Sequence, residues 1–324
     1  MPKKIRIIFA SLYKPFRLAI VKPFENSAVY RLFETHILIP LRGFGKTFMR
    51  ERIKKLTCFR RCVIIGISGG LGNQMCQYSM GKRIEKESVL PVYYDLSWFK
   101  RRGMDVNGRL YRNYELEASF PLIKLRTTGS FITTIYRKFF KALDCDNDTY
   151  TQIVSSDEPR YIEGCCHISQ DDEEAKRDFI CGLDFSDANK FVLSKIDASE
   201  CAVAVHVRRG DYVYLSCEIK NPCYFKEAIK FVSDRVTPQK PTFFVFSDGM
   251  DWCRKNFAGV LEDLVFVENN NNDHGPYDMY LMSHCHHFIL SDSTFSYWSA
   301  LLSDRASEKI MIRPGDQRFN FERG

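Results

Sequence analysis

From Cys62 onward, short apolar runs recur along the 324-residue chain, each closed by turn residues. Runs of this length, apolar at nearly every position, are the signature of strands buried on both faces of a parallel sheet. Cys62–Ile67 predicts the first such strand. It feeds a glycine-rich turn, Ser68-Gly69-Gly70-Leu71-Gly72-Asn73-Gln74, then a helix to about Ser88 and a strand at Leu90–Tyr94. That is a βαβ opening. Residues 95–160 break the rhythm and read as helices and loops rich in basic and aromatic side chains, among them Trp98, Phe99, Arg101, Arg109 and Arg112. From about residue 200 the alternation is regular: strands at Ala202–Val207, Thr242–Ser247, Leu264–Val267, Phe288–Asp292 and Lys309–Ile312, with helices at Cys223–Val236, 250–257, Asp278–His286 and Phe295–Ser303 between them. Such alternation predicts a parallel α/β sheet, whose ligands bind at the carboxyl ends of the strands. Arg208, Asp248 and Ser293 then share one rim.

Ahead of this body lies a segment of different character. Residues 1–62 carry 15 basic and 3 acidic side chains, a local charge of +12 that leaves −5 for the remainder of a chain of net charge +7. Ile5, Ile8, Phe9, Leu12 and Phe16 recur at helical spacing, with Pro15 and Pro23 as breaks. No run approaches the ~20 apolar residues of a membrane span. A cationic amphipathic arm suits the surface of an anionic membrane. A solvated leader or a segment docked on the body is the plainer alternative. Nothing resembles a zinc finger or an RNP motif, so nucleic acid is not expected. The twelve cysteines are scattered without a CxxC pair and read mostly as reduced, buried, small apolar residues.

Three clusters carry chemistry. His206-Val207-Arg208-Arg209-Gly210-Asp211 stands where a buried strand ends. Arginine there suits bidentate phosphate recognition, with Asp211 to orient a guanidinium; a structural Arg–Asp pair is the alternative. Gly69, Gly70 and Gly72 permit close backbone approach before Asn73 starts a helix, whose N-terminus favours an anion; a plain tight turn is the alternative. Ser291-Asp292-Ser293-Thr294-Phe295-Ser296 gathers hydroxyls at another helix start, either as caps or as diphosphate ligands. His284-Cys285-His286-His287 and the Asp144-Cys145-Asp146-Asn147-Asp148 stretch are weak as metal sites. Trp252 and Trp298 read as core.

Together the motifs are more specific than each alone. Gly69-Gly70-Leu71-Gly72-Asn73-Gln74-Met75-Cys76-Gln77-Tyr78 resembles the opening motif of the α-1,2-fucosyltransferase family, glycosyltransferase family 11. His206–Asp211 resembles its HxRRGD motif, and Phe246-Ser247-Asp248 with Trp252 and Cys253 its FSDD-type motif. Asp278-Met279-Tyr280-Leu281-Met282-Ser283, then Ser293–Trp298, is similar to its DMxLMS…SSFSWW block. The sequence departs from the pattern at Cys76, at Cys165-Cys166-His167, at Asp292 and across Tyr297–Leu301.

The resemblance implies a GT-B fold of two facing Rossmann-like domains behind a basic N-terminal extension. The ranges would be 1–61 for the extension, 62–199 for an acceptor-side domain with the glycine loop, and 200–324 for the GDP-fucose-binding domain. It implies a GDP-β-L-fucose donor, a galactose-terminated glycan acceptor, inversion at the anomeric carbon and no metal or other cofactor. Arg208, Asn73 and His206 would be catalytic. Gly70, Gly72, Asn73, Gln74, His206, Arg208, Arg209, Asp211, Ser247, Asp248, Asp278, Ser293, Thr294 and Ser296 would bind the donor, with His206 and Asp278 at guanine. His206, Asp211 and Glu218 are the general bases open for consideration. The alternatives are a fucosyltransferase of another linkage and a non-catalytic binder of sugar nucleotides or polyanions. A cytoplasmic enzyme peripheral to the inner face of the membrane is the expected setting.

Overall fold

The structure, a computed structural model, describes residues 50–51, 53–55, 61–101, 104–105, 110–141, 158–164, 173–180, 182–257, 259, 264–270 and 275–315. Most of the basic arm, the Asp144–Asp148 stretch and Cys165-Cys166-His167 lie outside the described residues. No helix among the described residues is long and apolar enough to cross a membrane.

In chain order the elements are β1 (Val63–Gly66), α1 (Leu71–Glu87), β2 (Val92–Asp95), α2 (Ser97–Arg101), β3 (Met104–Asp105), β4 (Leu110–Tyr111), α3 (Leu116–Ser119), α4 (Ser130–Phe139), β5 (Arg160–Ile162), α5 (Glu173–Asp178), α6 (Asp187–Ala198), β6 (Cys201–Val207), α7 (Gly210–Leu215), α8 (Cys223–Val236), β7 (Pro241–Ser247), α9 (Met250–Phe257), β8 (Leu264–Val267), α10 (Gly275–Ser283), β9 (His287–Leu290), α11 (Thr294–Leu302) and β10 (Met311–Ile312). They form an α/β protein with two parallel sheets. The chain divides into two compact units, one of residues 1–67, 80–97 and 125–167, the other of residues 68–79, 98–124 and 168–324.

The first unit holds a three-stranded parallel sheet of order β2-β1-β5. Ile64 and Tyr161 pack with Tyr136, Phe139 and Phe140 on one face. Ile53, at the end of the basic arm, is buried in the same cluster, so this part of the arm docks on the body. Asp95 ends β2 and is nearly inaccessible. It accepts hydrogen bonds from the Ser97 amide (2.9 Å) and the Tyr161 hydroxyl (2.7 Å) and pairs with Arg137. The Arg137 guanidinium also donates to the Tyr161 hydroxyl (3.1 Å) and to Ser97 Oγ (2.7 Å), which closes the network.

The second unit holds a five-stranded, all-parallel sheet of order β10-β9-β6-β7-β8. Side chains alternate across it with a period of two. Val203, Val205, Val207, Phe243 and Val245 meet Tyr224, Phe225, Ile229 and Val232 of α8 on one face. Ala202, Ala204, Phe244, Phe246 and Phe288 meet Val192 and Ile196 of α6, Leu281 and Met282 of α10 and Ala300 of α11 on the other. His206 follows Ala202 and Ala204 in this parity, so it belongs to the face of α10 and α11. The chain runs from β6 outward to β7 and β8, then returns to β9 on the opposite side of β6. The β6–β9 junction is therefore the topological switch point.

Several elements differ in extent from the sequence expectation. Helix α10 begins and ends three residues earlier than read. Pro276 stands in its first turn, where a missing N–H costs nothing. Beyond Ser283 the chain tightens into short turns (His284 N to Leu281 O 3.2 Å, Cys285 N to Met282 O 2.9 Å), which brings the His286 amide to Ala202 O at 2.8 Å. The sequence pattern predicts none of α5, α6 and α7. Of the described cysteines, Cys62, Cys76, Cys201, Cys253 and Cys285 are buried thiols, while Cys217 and Cys223 are exposed. Trp298 is core, as read.

Asp95→Ala removes the buried carboxylate that Arg137, Tyr161 and Ser97 share and leaves Arg137 only the longer pair with Glu163 Oε1 (3.8 Å). Unfolding in urea is expected to show a loss of about 3 kcal/mol, the size typical of a broken buried ion pair.

Candidate functional site

A cavity opens at the carboxyl ends of β6, β7 and β9, within the second unit. Sheet register explains its composition. His206 lies level with Phe246 and with Leu290, and Phe246 with Val267. The residues just beyond this row form the rim: Arg208 after β6, Asp248 after β7, Asn270 after β8 and Ser293 after β9.

Arg208 is the cation at the centre. Its backbone amide donates to Ser291 Oγ (2.9 Å), whose hydroxyl donates onward to His206 O (3.0 Å), so the strand end is fixed. Its guanidinium makes two ion pairs, Nη2 with Asp211 Oδ1 (2.7 Å) and Nη1 with Asp248 Oδ2 (2.6 Å). The second oxygen of Asp211 takes Arg112 Nη2 at 2.7 Å. Two arginines and two carboxylates thus alternate along the cavity wall. Arg112 was not picked out as a site residue. It comes from a segment with no strand rhythm, and only its tertiary placement reveals it.

The glycine loop forms another wall. Gly69 adopts φ +76°, the left-handed region that favours glycine. Gly72 packs against the start of α11, where an added Cβ would meet Phe295 N at 2.5 Å. This close approach brings Asn73 Oδ1 to the hydroxyl of Thr294, which donates to it at 2.9 Å. Ser293 stands at the N-cap position, yet its hydroxyl makes no capping bond and borders the cavity.

Asp278, on α10, borders the cavity from the sheet face that carries His206. Burial raises its carboxyl to about 7, and a hydrogen bond donated by Asn270 Nδ2 to Oδ1 (2.7 Å) opposes that rise. His206 is held neutral. Burial first, then the charge of Arg208, lowers its imidazole to about 3, and its Nδ1 has no hydrogen-bond partner among the described residues.

Of the residues expected to bind a donor, Gly70, Gly72, Asn73, His206, Arg208, Asp211, Ser247, Asp248, Asp278, Ser293 and Thr294 line this one cavity. Gln74, Arg209 and Ser296 do not. Gln74 is fully buried; its Nε2 donates to Gly69 O (3.0 Å) and Asn113 O (2.9 Å), and its Oε1 accepts from the amides of Glu115 and Leu116. It ties the glycine loop to the segment that carries Arg112. The Arg209 guanidinium lies over Trp252, 4.8 Å from the ring centroid. Ser296 is buried and donates to Ser293 O (3.2 Å). Glu218 is not on the cavity wall. Among the described residues, which include His284–His287, no cluster of His, Cys, Asp or Glu is arranged to hold a metal ion.

Comparison with known proteins agrees with the family read from the motifs. Residues 186–322 match the model of Glycosyl transferase family 11. An alpha-1,2-colitosyltransferase of Escherichia coli is 28% identical over 275 residues, 75% of this chain and 88% of that protein. A galactoside alpha-(1,2)-fucosyltransferase 1 of Ateles belzebuth is 34% identical over 112 residues, 33% of this chain and 30% of that protein's length. Among solved structures, NodZ alpha-1,6-fucosyltransferase co-crystallized with GDP aligns with a TM-score of 0.46 at 11% identity, over 76% of this chain and 93% of that one.

The raised carboxyl of Asp278 has a measurable consequence. It ionises near 4 in the unfolded chain and near 7 in the folded one, so native stability falls as pH climbs from about 4 to 7 and the loss is complete above that. Asn at 278 escapes it. Asp278→Asn is expected to match the parent in urea unfolding at pH 4 and to exceed it by a margin that grows and levels off by about pH 8.

Proposed function

We propose, for a chain whose residues 186–322 belong to glycosyl transferase family 11, an alpha-1,2-fucosyltransferase of GT-B architecture that moves L-fucose from GDP-β-L-fucose to the 2-hydroxyl of a terminal galactose. The observation that supports this most is the pair of arginines at the switch point, Arg208 and Arg112, joined through Asp211 and directed into one cavity with the hydroxyls of Ser293 and Thr294.

In this reading guanine sits at Asp278 and the neutral His206, and the diphosphate lies at Arg208. Ser293, Thr294 and the first amides of α11 bind the remaining phosphate oxygens, since a helix N-terminus favours anions. Asn73 faces the fucose. The acceptor's 2-oxygen forms the new bond to the anomeric carbon as the bond from that carbon to the β-phosphate oxygen breaks. The bonding pair leaves with GDP, and the hydroxyl proton passes to solvent water as the acceptor oxygen commits. Attack from the face opposite the leaving group turns the β-donor into an α-product. Negative charge grows on the β-phosphate, and Arg208, already fixed in place, stabilises it there without a metal. His206 is too weakly basic to draw off the proton, and Asp211 is committed to two arginines. A late, weakly assisted deprotonation fits an oxocarbenium-like transition state. The part of the basic arm ahead of the docked Ile53 rests, in this reading, on the inner face of a membrane and brings the cytoplasmic enzyme to a lipid-linked galactoside.

The Escherichia coli relative favours one variant of this reading. Colitose is fucose without its 3-hydroxyl, so the same machinery would accept GDP-colitose if nothing in the sugar subsite demands that hydroxyl. The two donors are to be assayed side by side.

GDP release from each donor, measured against a panel of β-galactosides, tests the proposal. Release is expected to require an acceptor and to yield a product cleaved by an α-1,2-fucosidase when fucose is the donor. Arg208→Ala is expected to lose at least about 100-fold in turnover while remaining folded, the usual scale for removing a preorganised charge stabiliser; near-normal turnover by the folded variant would refute its role. EDTA is expected to leave the rate unchanged, and a chelator-sensitive rate restored by Mg²⁺ or Mn²⁺ would refute metal independence.

A further inference from the structure

Behind Asp278 lies a small polar chain that the reaction itself does not use. Asn270 Nδ2 donates to Asp278 Oδ1 at 2.7 Å. The same Asn270 amide is paired reciprocally with Asn189 on α6: Asn270 Nδ2 donates to Asn189 Oδ1 (2.9 Å), and Asn189 Nδ2 donates to Asn270 Oδ1 (3.1 Å). Asn269 Nδ2 also donates to Asn189 Oδ1. Asn189 is almost wholly buried, at 3% exposure.

This arrangement removes the freedom an asparagine normally has. An amide can turn over and exchange its donor and acceptor ends. Here a turn would set the Asn270 carbonyl against the Asp278 carboxylate and its NH₂ against the NH₂ of Asn189. Both contacts would be repulsive in a partly buried setting, where unmatched polar groups are costly. The Asn270 donor is therefore locked toward Asp278. With Oδ1 taken, Oδ2 is the oxygen left for a ligand in the cavity that Asp278 borders.

We propose that Asn270, locked by Asn189, is a positioning residue for base selectivity: it aims the second oxygen of Asp278 at the paired N1–H and N2–H donors that guanine presents. The proposal rests on the reading that Asp278 contacts the base. Adenine offers an acceptor at N1, so an aimed carboxylate repels it where guanine is bound. The bond from Asn270 also favours the ionised carboxylate, the form that accepts from guanine. Asn269–Asn272, an undistinguished polar run in the sequence, thereby acquires a role at Asn270.

Calorimetric binding of GDP and of ADP to the full chain tests this. Asn270→Ala is expected to weaken GDP about tenfold, the worth of one lost hydrogen bond to a charged group, and to leave ADP unchanged. Asn189→Ala keeps the donor but frees the amide, and is expected to weaken GDP about threefold, again with ADP unchanged. A GDP-to-ADP preference that stays at the parent value in Asn270→Ala, whether both nucleotides bind as before or both weaken together, overturns the proposal. Should Asn270→Ala fail to fold, as judged by thermal unfolding, Asn189→Ala decides on the same criterion. Asp278→Asn is the control. If it keeps the parent preference for GDP, the reading of Asp278 falls and the positioning role with it; if it alone loses that preference, only the positioning role falls.

Discussion

A guanidinium at the end of a buried strand must find negative charge, and the second unit is arranged around that demand. Arg208 meets it with Asp211 and Asp248 while Asp211 is shared with Arg112, so the cavity wall is close to neutral as it stands. A diphosphate entering such a wall competes with carboxylates already in place. It gains no more than the difference between the two partners, which is a modest ground-state attraction. The transition state is different, because charge on the leaving phosphate exceeds that of the bound donor. A fixed cation whose partners are side chains at its own and the neighbouring strand end serves the later state better than the earlier one. In the proposed reaction, that differential raises turnover rather than affinity.

The placement of the cation follows from the sheet. Parallel strands end together, so residues far apart in sequence become neighbours once the register is set; Val207 lies beside Ser247, and His206 beside Leu290. Parity then selects the face. His206 shares the side of Ala202 and Ala204, which α10 and α11 cover, and this is why Asp278 and Thr294 meet it at the same cavity. The glycine loop completes the wall only because Gly72 lacks a Cβ where Phe295 N would strike it. Gln74 does the complementary work with its buried amide, whose four hydrogen bonds hold the Asn113–Leu116 stretch, and with it Arg112, beside the loop.

These relations differ in how far the sequence reveals them. The strands from residue 200 onward were legible because each is an apolar run between polar turns, and the motif residues lie where those runs stop. Leu264–Val267 and Cys223–Val236 agree with the structure residue for residue. Arg112 was not legible. Its neighbours form no periodic pattern, and it is held at the cavity by the hydrogen bonds that Asn113, Glu115 and Leu116 make with Gln74, 39 residues before the nearest of them. Ser296, expected at the donor, is buried away from the cavity wall, because a cluster of hydroxyls in sequence says nothing about which of them a helix turns inward. Ser293 stands at the N-cap and Thr294 opens the helix on the cavity side, while Ser296 is turned inward. Asn270 was hidden for a further reason: its importance lies in a reciprocal amide pair with Asn189, 81 residues away.

The two ends of the cavity solve opposite electrostatic problems. At Arg208 charge is abundant, and the wall works by pairing it. At Asp278 charge is scarce: the carboxyl is buried, its ionisation is penalised, and among the described residues a single neutral donor opposes the penalty. A carboxylate in that state is not oriented by strong attraction to anything, unlike Asp211, which two guanidiniums fix from both sides. Its direction must come from the geometry of the group that touches it. A lone asparagine would transmit its own ambiguity, and a locked one transmits a direction. The same need arises wherever a buried acid is to read a ligand's donors instead of a cation, so the second layer of asparagines is a consequence of using a carboxylate there at all.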